Sequence, residues 1–244
     1  MSPDVRVGTG TDTADSRGRR LTIAGGLMVG GFLLNVIMTA GFHPSGEEDD
    51  HPAIFTKYAD SDPWIAVHLL QFIGVLVTLS GLLVLYRVLR GADGPSLVAQ
   101  LGAAAAVATA AIWAVLQGLD GVGLKQAVDS WVSASGSEKA IRFASAETVR
   151  WLEWGFQSYF RILLGLTLAL FGAAILVGRR VPGWLGWTAL VAGVCSLIFG
   201  VDVGYSGLAS GLQDVLGIAI FILVLIFAIG VLVTGVRERG RRHS

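Results

Sequence analysis

His68 and the carboxylates Asp120, Glu153 and Asp202 all stand near the ends of long apolar runs. A histidine beside a carboxylate is the pair that general acid–base chemistry uses, with Glu153 or Asp120 as base and His68 as acid or orienting group. Glu153, Gln157 and Arg161 recur at i, i+4 and i+8, which aligns them on one helix face. An arginine near hydrocarbon pairs or snorkels to the interface, and Asp202, Asp120 and Glu153 are the candidate partners of Arg161. Counting residues along the apolar runs brings His68 and Gln71, Gln117 and Asp120, Glu153 to Arg161, Asp202 and Tyr205, and Gln213 and Asp214 to one level. The spacing therefore predicts a polar layer shared by five helices. It is either a set of ion pairs and hydrogen bonds that pins helix ends, or an outward-facing pocket for a small molecule, lipid headgroup or ion. The candidate ligand-binding residues are His68, Gln71, Gln117, Asp120, Glu153, Gln157, Arg161 and Asp202.

Other chemistries fare worse. His43, Glu47, Glu48, Asp49, Asp50 and His51 offer metal-ligand types within one loop. Their spacing matches no metal motif, and they read as a solvated acidic loop, so no metal or other cofactor is expected. His68 is the only histidine within an apolar run, which argues against a bis-histidine haem. HExxH, GxSxG and Walker glycine loops are missing, and no catalytic residue is assigned. The centres of the runs carry Asn35, Thr78, Ser80, Thr109, Thr167 and Ser196 but no ionisable residue, and no proline interrupts them. Ion-coupled carriers place charges or broken helices there.

The elements that position these residues follow from composition. Of 244 residues, 53% are hydrophobic and only 15% charged, and the mean hydropathy is +0.67. A soluble domain carries about a quarter charged residues. Crossing about 30 Å of hydrocarbon takes roughly 20 apolar residues, and six stretches are that long: 21–42, 64–86, 97–117, 159–177, 184–204 and 215–236. They are continuous rather than alternating, so they are helices and not barrel strands. The expected fold is an all-α bundle of about six transmembrane helices, flanked by a disordered tail over 1–20 and a basic tail over 237–244. The net charge is zero, and no basic excess points to nucleic acid. Cys195 is the single cysteine, which rules out an internal disulfide.

Arginines set the orientation. Arg17, Arg19 and Arg20 precede the first run; Arg87 and Arg90, Arg179 and Arg180, and Arg237 to Arg242 mark every second boundary. Both termini are therefore expected in the cytoplasm of a multi-pass plasma-membrane protein. Gly18-Arg19-Arg20-Leu21 faintly resembles a twin-arginine start, but the apolar run after it exceeds a signal h-region and lacks a clean cleavage site. Outside, 43–63 is expected to be mostly irregular. Leu124, Ala127, Val128 and Trp131 form an amphipathic stripe, Glu138–Gly155 is helix-forming, and glycines 118, 121 and 123 suggest a hinge. Helical structure should thus extend beyond the membrane between the third and fourth spans. Gly26 and Gly30 form a GxxxG pair suited to packing within the chain or to a homo-oligomer.

His43-Pro44, the stretch Trp64 to Gln71, the stretch Leu119 to Lys125, and Ala146-Glu147 leading to Glu153 give the chain a likeness over most of its length. It resembles uncharacterised bacterial, actinobacterial-type multi-pass proteins grouped as a domain of unknown function. That resemblance implies a six-helix membrane fold and no known activity. The favoured function is a membrane protein, not an enzyme, that contacts lipids and binds a small molecule or lipid in its outer pocket. The alternatives are an outer-leaflet enzyme using His68 with Asp120 or Glu153, and a passive channel or subunit of a membrane complex. Topology is directly testable in a Cys195→Ser background: a cysteine at Ser137 should react with an impermeant maleimide on intact cells, and one at Ser244 only after lysis.

Overall fold

A computed structural model of the protein describes residues 11–90 and 96–241. Eight α-helices and one π-helical segment succeed one another: α1 (Thr11–Phe42), α2 (His51–Ala59), α3 (Trp64–Leu89), α4 (Leu97–Gly118), the π-helix (Leu119–Leu124), α5 (Lys125–Ser133), α6 (Gly136–Gly178), α7 (Gly183–Ser206) and α8 (Gly211–Gly240). Among the described residues, six helical stretches are long and apolar enough to cross a bilayer, starting at Ser16, Trp64, Leu97, Gly136, Gly183 and Gly211. The chain is a multi-pass membrane protein of the all-α class.

The spanning helices close into a ring. α1 packs against α3 and α8, α3 against α4, α4 against α6, α6 against α7, and α7 against α8. Lipid tails are as apolar as leucine and do not drive helices together, so close backbone approach must hold such a ring. Glycines provide it. A Cβ at Gly165 would meet the Gly193 carbonyl oxygen at 2.7 Å, and one at Gly172 the Gly186 oxygen at 2.6 Å, which locks α6 to α7. Gly31 and Gly74 do the same for α1 and α3, since a Cβ at Gly74 would meet the Gly31 oxygen at 2.8 Å. Gly26 and Gly30 have open space instead, so contact within the chain falls to Gly25 and Gly31. Outside the ring, Leu69, Leu101, Val107, Val194, Ile222 and Ile229 are exposed, an apolar girdle suited to lipid.

Arg17 pairs with Glu238 at 3.1 Å, so both chain ends lie at one end of the bundle, the proximal end. Leu21, Leu85, Ala99, Ile175, Leu185 and Val231 belong to the core that closes the bundle there. At the distal end, α2, the π-helix, α5 and the first turns of α6 form a cap. Its core is Ile54, Phe55, Tyr58, Trp64, Leu124, Val128 and Ala146. α6 alone has 43 residues, or about 65 Å, twice the hydrocarbon thickness.

Three expectations change. The segment expected to be irregular contains α2: the Asp50 carboxylate accepts from the Ala53 amide at 3.2 Å, Pro52 occupies the first turn, and Ile54, Phe55 and Tyr58 bury one face. The glycines at 118, 121 and 123 make no hinge; the chain runs from α4 through the π-helix into α5 as one helical rod. α1 begins at Thr11, so the second half of the expected disordered tail is helical, while residues 1–10 and 242–244 lie outside the described residues. Glycine contacts make a sharp stability prediction. Gly165→Ala should lower the thermal midpoint, at a cost of about 1–3 kcal/mol for overpacking. Gly155→Ala, which meets nothing within 4 Å, should leave the midpoint unchanged or raise it, read by nanoscale fluorimetry in detergent.

Candidate functional site

Within the ring, from the cap down to the membrane interior, runs a cavity of about 540 Å³. Its two halves differ in chemistry. The inner half is walled by Met28 and Phe32 of α1, Leu79 and Leu82 of α3, Leu164 and Leu168 of α6, and Ile220, Val224 and Phe227 of α8. The distal half is lined by His43, Glu48, Tyr58, Gln71, Gln117, Asp120, Arg150, Glu153, Gln157 and Arg161. The α1 side of the cavity, from Met28 to Ala40, covers about 18 Å of helix and is apolar apart from Asn35 and Thr39.

Two charge systems organise the polar mouth. The first centres on Arg150, whose side chain is 3% exposed. Its guanidinium donates to Glu153 Oε2 at 2.6 Å, one helical turn along α6, and to Glu48 in the segment after α1. The same Glu48 oxygen accepts from the Tyr58 hydroxyl at 3.1 Å. Burial pushes the Tyr58 phenol up, so it remains a donor throughout the ordinary pH range. Arg150 also lies over the rings of Tyr58 and Trp154. The second system is His68 and Asp120, Nε2 to Oδ2 at 3.1 Å. Gly121 permits this pairing: a Cβ there would meet His68 Cβ at 2.6 Å. The His43 ring stands 5.2 Å from that of His68. Burial holds His43 below the usual imidazole range, against the pull of Asp120, so it is neutral at neutral pH.

Arg161 is different. It lies two turns deeper than Glu153, where the polar mouth meets the apolar chamber. No ion pair reaches it among the described residues, and its Nε is buried without a partner. Its guanidinium rests on the Phe199 ring, 4.5 Å from the centroid. Gln117 Oε1 and Asp120 Oδ1 are buried without partners as well.

The eight residues singled out from sequence separate into three groups. Gln71, Gln117, Asp120, Glu153, Gln157 and Arg161 share the cavity wall. His68 stands behind the wall, 2% exposed, and reaches it through Asp120. Asp202 is not part of the site: it accepts from Gln213 Nε2 at 2.7 Å at the α7–α8 junction, because α7 packs on the flank of α6 and contributes no residue to the cavity wall. The expected pairing of Arg161 with Asp202, Asp120 or Glu153 is likewise not made. The acidic loop does not stay together: Asp50 caps α2, His51 pairs with Glu147 at 2.9 Å, Glu48 joins Arg150, and His43 faces His68.

Sequence reading missed Arg150, Glu48, Tyr58 and the approach of His43 to His68. The i, i+3 spacing of Arg150 and Glu153 was the available signal; contacts of Glu48 and His43 across the chain had none. No protein-family model, curated protein or solved structure matches this chain. Removing Arg150 leaves two carboxylates facing each other in a low-dielectric mouth. Breaking a buried pair this way costs about 3–5 kcal/mol. Arg150→Ala should therefore lower the thermal midpoint sharply, and Glu153→Gln in the same background should restore part of the loss.

Proposed function

We propose that this protein binds an anionic amphiphile, its acidic head at Arg161 and its hydrocarbon tail in the apolar chamber. The observation that carries the reading is the guanidinium of half-buried Arg161, which has no ion-pair partner among the described residues and whose Nε is buried unpaired, at the boundary between a polar and an apolar half-cavity. A charge held partly out of water with no counter-ion is costly. A carboxylate or phosphate head would neutralise it, and Gln117 and Gln157 on the same wall offer amide donors to that head. The cavity volume is within the range of small-molecule sites.

Orientation belongs to the same proposal. Arginines at the proximal end support a cytoplasmic position for that end; the mouth then faces outward and the ligand enters from the outer leaflet of the plasma membrane. The bacterial, actinobacterial-type assignment rests on the resemblance. The four stretches that carry it supply His43, Trp64, His68, Gln71, Asp120 and Glu153, the residues in and around the mouth. The role is binding or presentation of the amphiphile rather than coupled transport, given the uncharged midplane. There the polar side chains bond to backbone carbonyls, as Thr78 to Gly74 at 2.9 Å and Ser196 to Arg161 at 2.8 Å, or to each other in the Thr109–Thr167 pair at 2.9 Å.

A spin-labelled long-chain fatty acid is a suitable probe, with the matching fatty alcohol as control. The purified protein in nanodiscs should bind the acid saturably, and Arg161→Ala should weaken it by about tenfold to a hundredfold, the loss of a charged hydrogen bond. Equal binding of acid and alcohol, or no change in the variant, would overturn the reading.

A further inference from the structure

At the edge of the mouth, His43 from the chain leaving α1, His68 on α3 and Asp120 in the π-helix converge. One ligand atom from each lies within 4.8 Å of the other two. The surrounding hydrogen bonds settle which ring nitrogens are free. His68 Nδ1 is 2.8 Å from the Trp64 carbonyl, and His43 Nδ1 is 2.8 Å from the Pro44 carbonyl. A carbonyl only accepts, so both Nδ1 atoms carry the proton; His43 Nε2 then keeps its lone pair, and His68 Nε2 faces the Asp120 carboxylate at 3.1 Å, where a proton or a cation must stand between them. Imidazoles held this way, by a backbone carbonyl on the far nitrogen, are the usual form of metal-ligating histidine.

A proton shared by His68 and Asp120 would account for that one pair. It leaves Asp120 Oδ1 buried without a partner, and it gives no role to the second imidazole. With a metal–nitrogen bond of about 2.1 Å, two imidazoles on one tetrahedral ion stand about 5 Å apart between ring centres; these two are 5.2 Å apart. The backbone is also shaped for the contact. π-helical turns cluster at functional sites, and here one carries Asp120 while its Gly121 gives His68 room.

We propose that His43, His68 and Asp120 bind one divalent transition-metal ion of the zinc class. Two imidazoles and one carboxylate suit zinc and its neighbours, whereas magnesium and calcium demand oxygen ligands almost throughout. His43 and Asp120 line the cavity and His68 lies behind it, so the fourth position opens into the mouth. Three protein ligands with an open position is the pattern of zinc sites that hold a water or a substrate atom, not of closed structural sites.

The proposal is independent of the amphiphile and is tested with metal alone. Full-length protein, stripped with a chelator and exchanged into metal-free detergent buffer, is titrated with Zn²⁺ against a chromophoric competitor, with Co²⁺ absorption as a second reading. One ion per chain is expected. His43→Ala and Asp120→Asn should weaken it by more than about a hundredfold, beyond what loss of a supporting group costs. His51→Ala, at the separate His51–Glu147 pair, should bind as the parent does. Circular dichroism of each variant separates a lost ligand from a lost fold, and the wild-type titration stands whatever the variants do. Absence of stoichiometric uptake by the wild type, or uptake that survives both His43→Ala and Asp120→Asn, would overturn the proposal. Failure of fatty-acid binding would not affect it.

Discussion

A guanidinium clamped between two carboxylates closes the distal end of this molecule. Arg150 reaches Glu153 on its own helix and Glu48 on the segment between α1 and α2. The cap is small, and α3 meets it through few other polar contacts: the Trp64 indole donates to the Asp120 carbonyl at 3.2 Å, and His68 Nε2 lies 3.1 Å from the Asp120 carboxylate. With Arg150 in place, the buried charge of Glu153 and the half-buried charge of Glu48 are answered, and the mouth can stay polar without drawing in the bilayer. The cavity, the His68–Asp120 pair and the access of His43 to that pair all depend on the roof this clamp secures.

Nearer the membrane interior the governing constraint is the solvent. Hydrocarbon supplies no hydrogen bonds, so hydroxyls within the spans bond to a carbonyl one turn back, to each other or, as Ser158 to Gly200 at 2.7 Å and Ser196 to Arg161 at 2.8 Å, to a carbonyl of the facing helix. Thr78 donates to the Gly74 carbonyl at 2.9 Å and Thr234 to that of Gly230 at 2.7 Å. The few hydroxyl bonds between helices join α6 to α7 and to α4, and the rest of helix association falls to shape. The glycine-to-backbone contacts of α6 with α7, of α1 with α3 and of α1 with α8 draw those pairs together at three sides of the ring. No such contact joins α8 to α3 or α6 across the middle among the described residues. The cavity occupies the space left by that uneven packing.

The six spans were legible because burial in lipid imposes a length and a composition on each stretch separately. So was the shared polar level of Gln71, Gln117, Asp120, Glu153, Gln157 and Arg161, since depth can be counted along each helix. Rotation could not be counted. Asp202 has the right depth but belongs to a helix that lies on the flank, and nothing in its neighbours says so. Arg161 lacks a carboxylate for the same reason. α2 was hidden because prolines and acidic residues mark loops as readily as helix starts, and only contact of Ile54, Phe55 and Tyr58 with α5 and α6 decides between them. Glu48 and His43 look like parts of one solvated run; their separate partners lie far along the sequence, where local spacing carries no information.

The π-helix between α4 and α5 alters how the rod carries its side chains. In an unbroken α-helix, Gln117, Asp120, Leu124 and Val128 would form one longitudinal stripe, and polar and apolar residues would compete for the same surface. The wider turns of Leu119–Leu124 absorb about one extra residue and rotate the α5 end of the rod by about 100°. Gln117 and Asp120 can then look into the chamber while Leu124 and Val128 bury themselves in the roof. A single-residue deletion in this segment would leave every side chain chemically intact, yet it would put the two ends of the rod out of phase and force the chain to give up either its mouth or its cap.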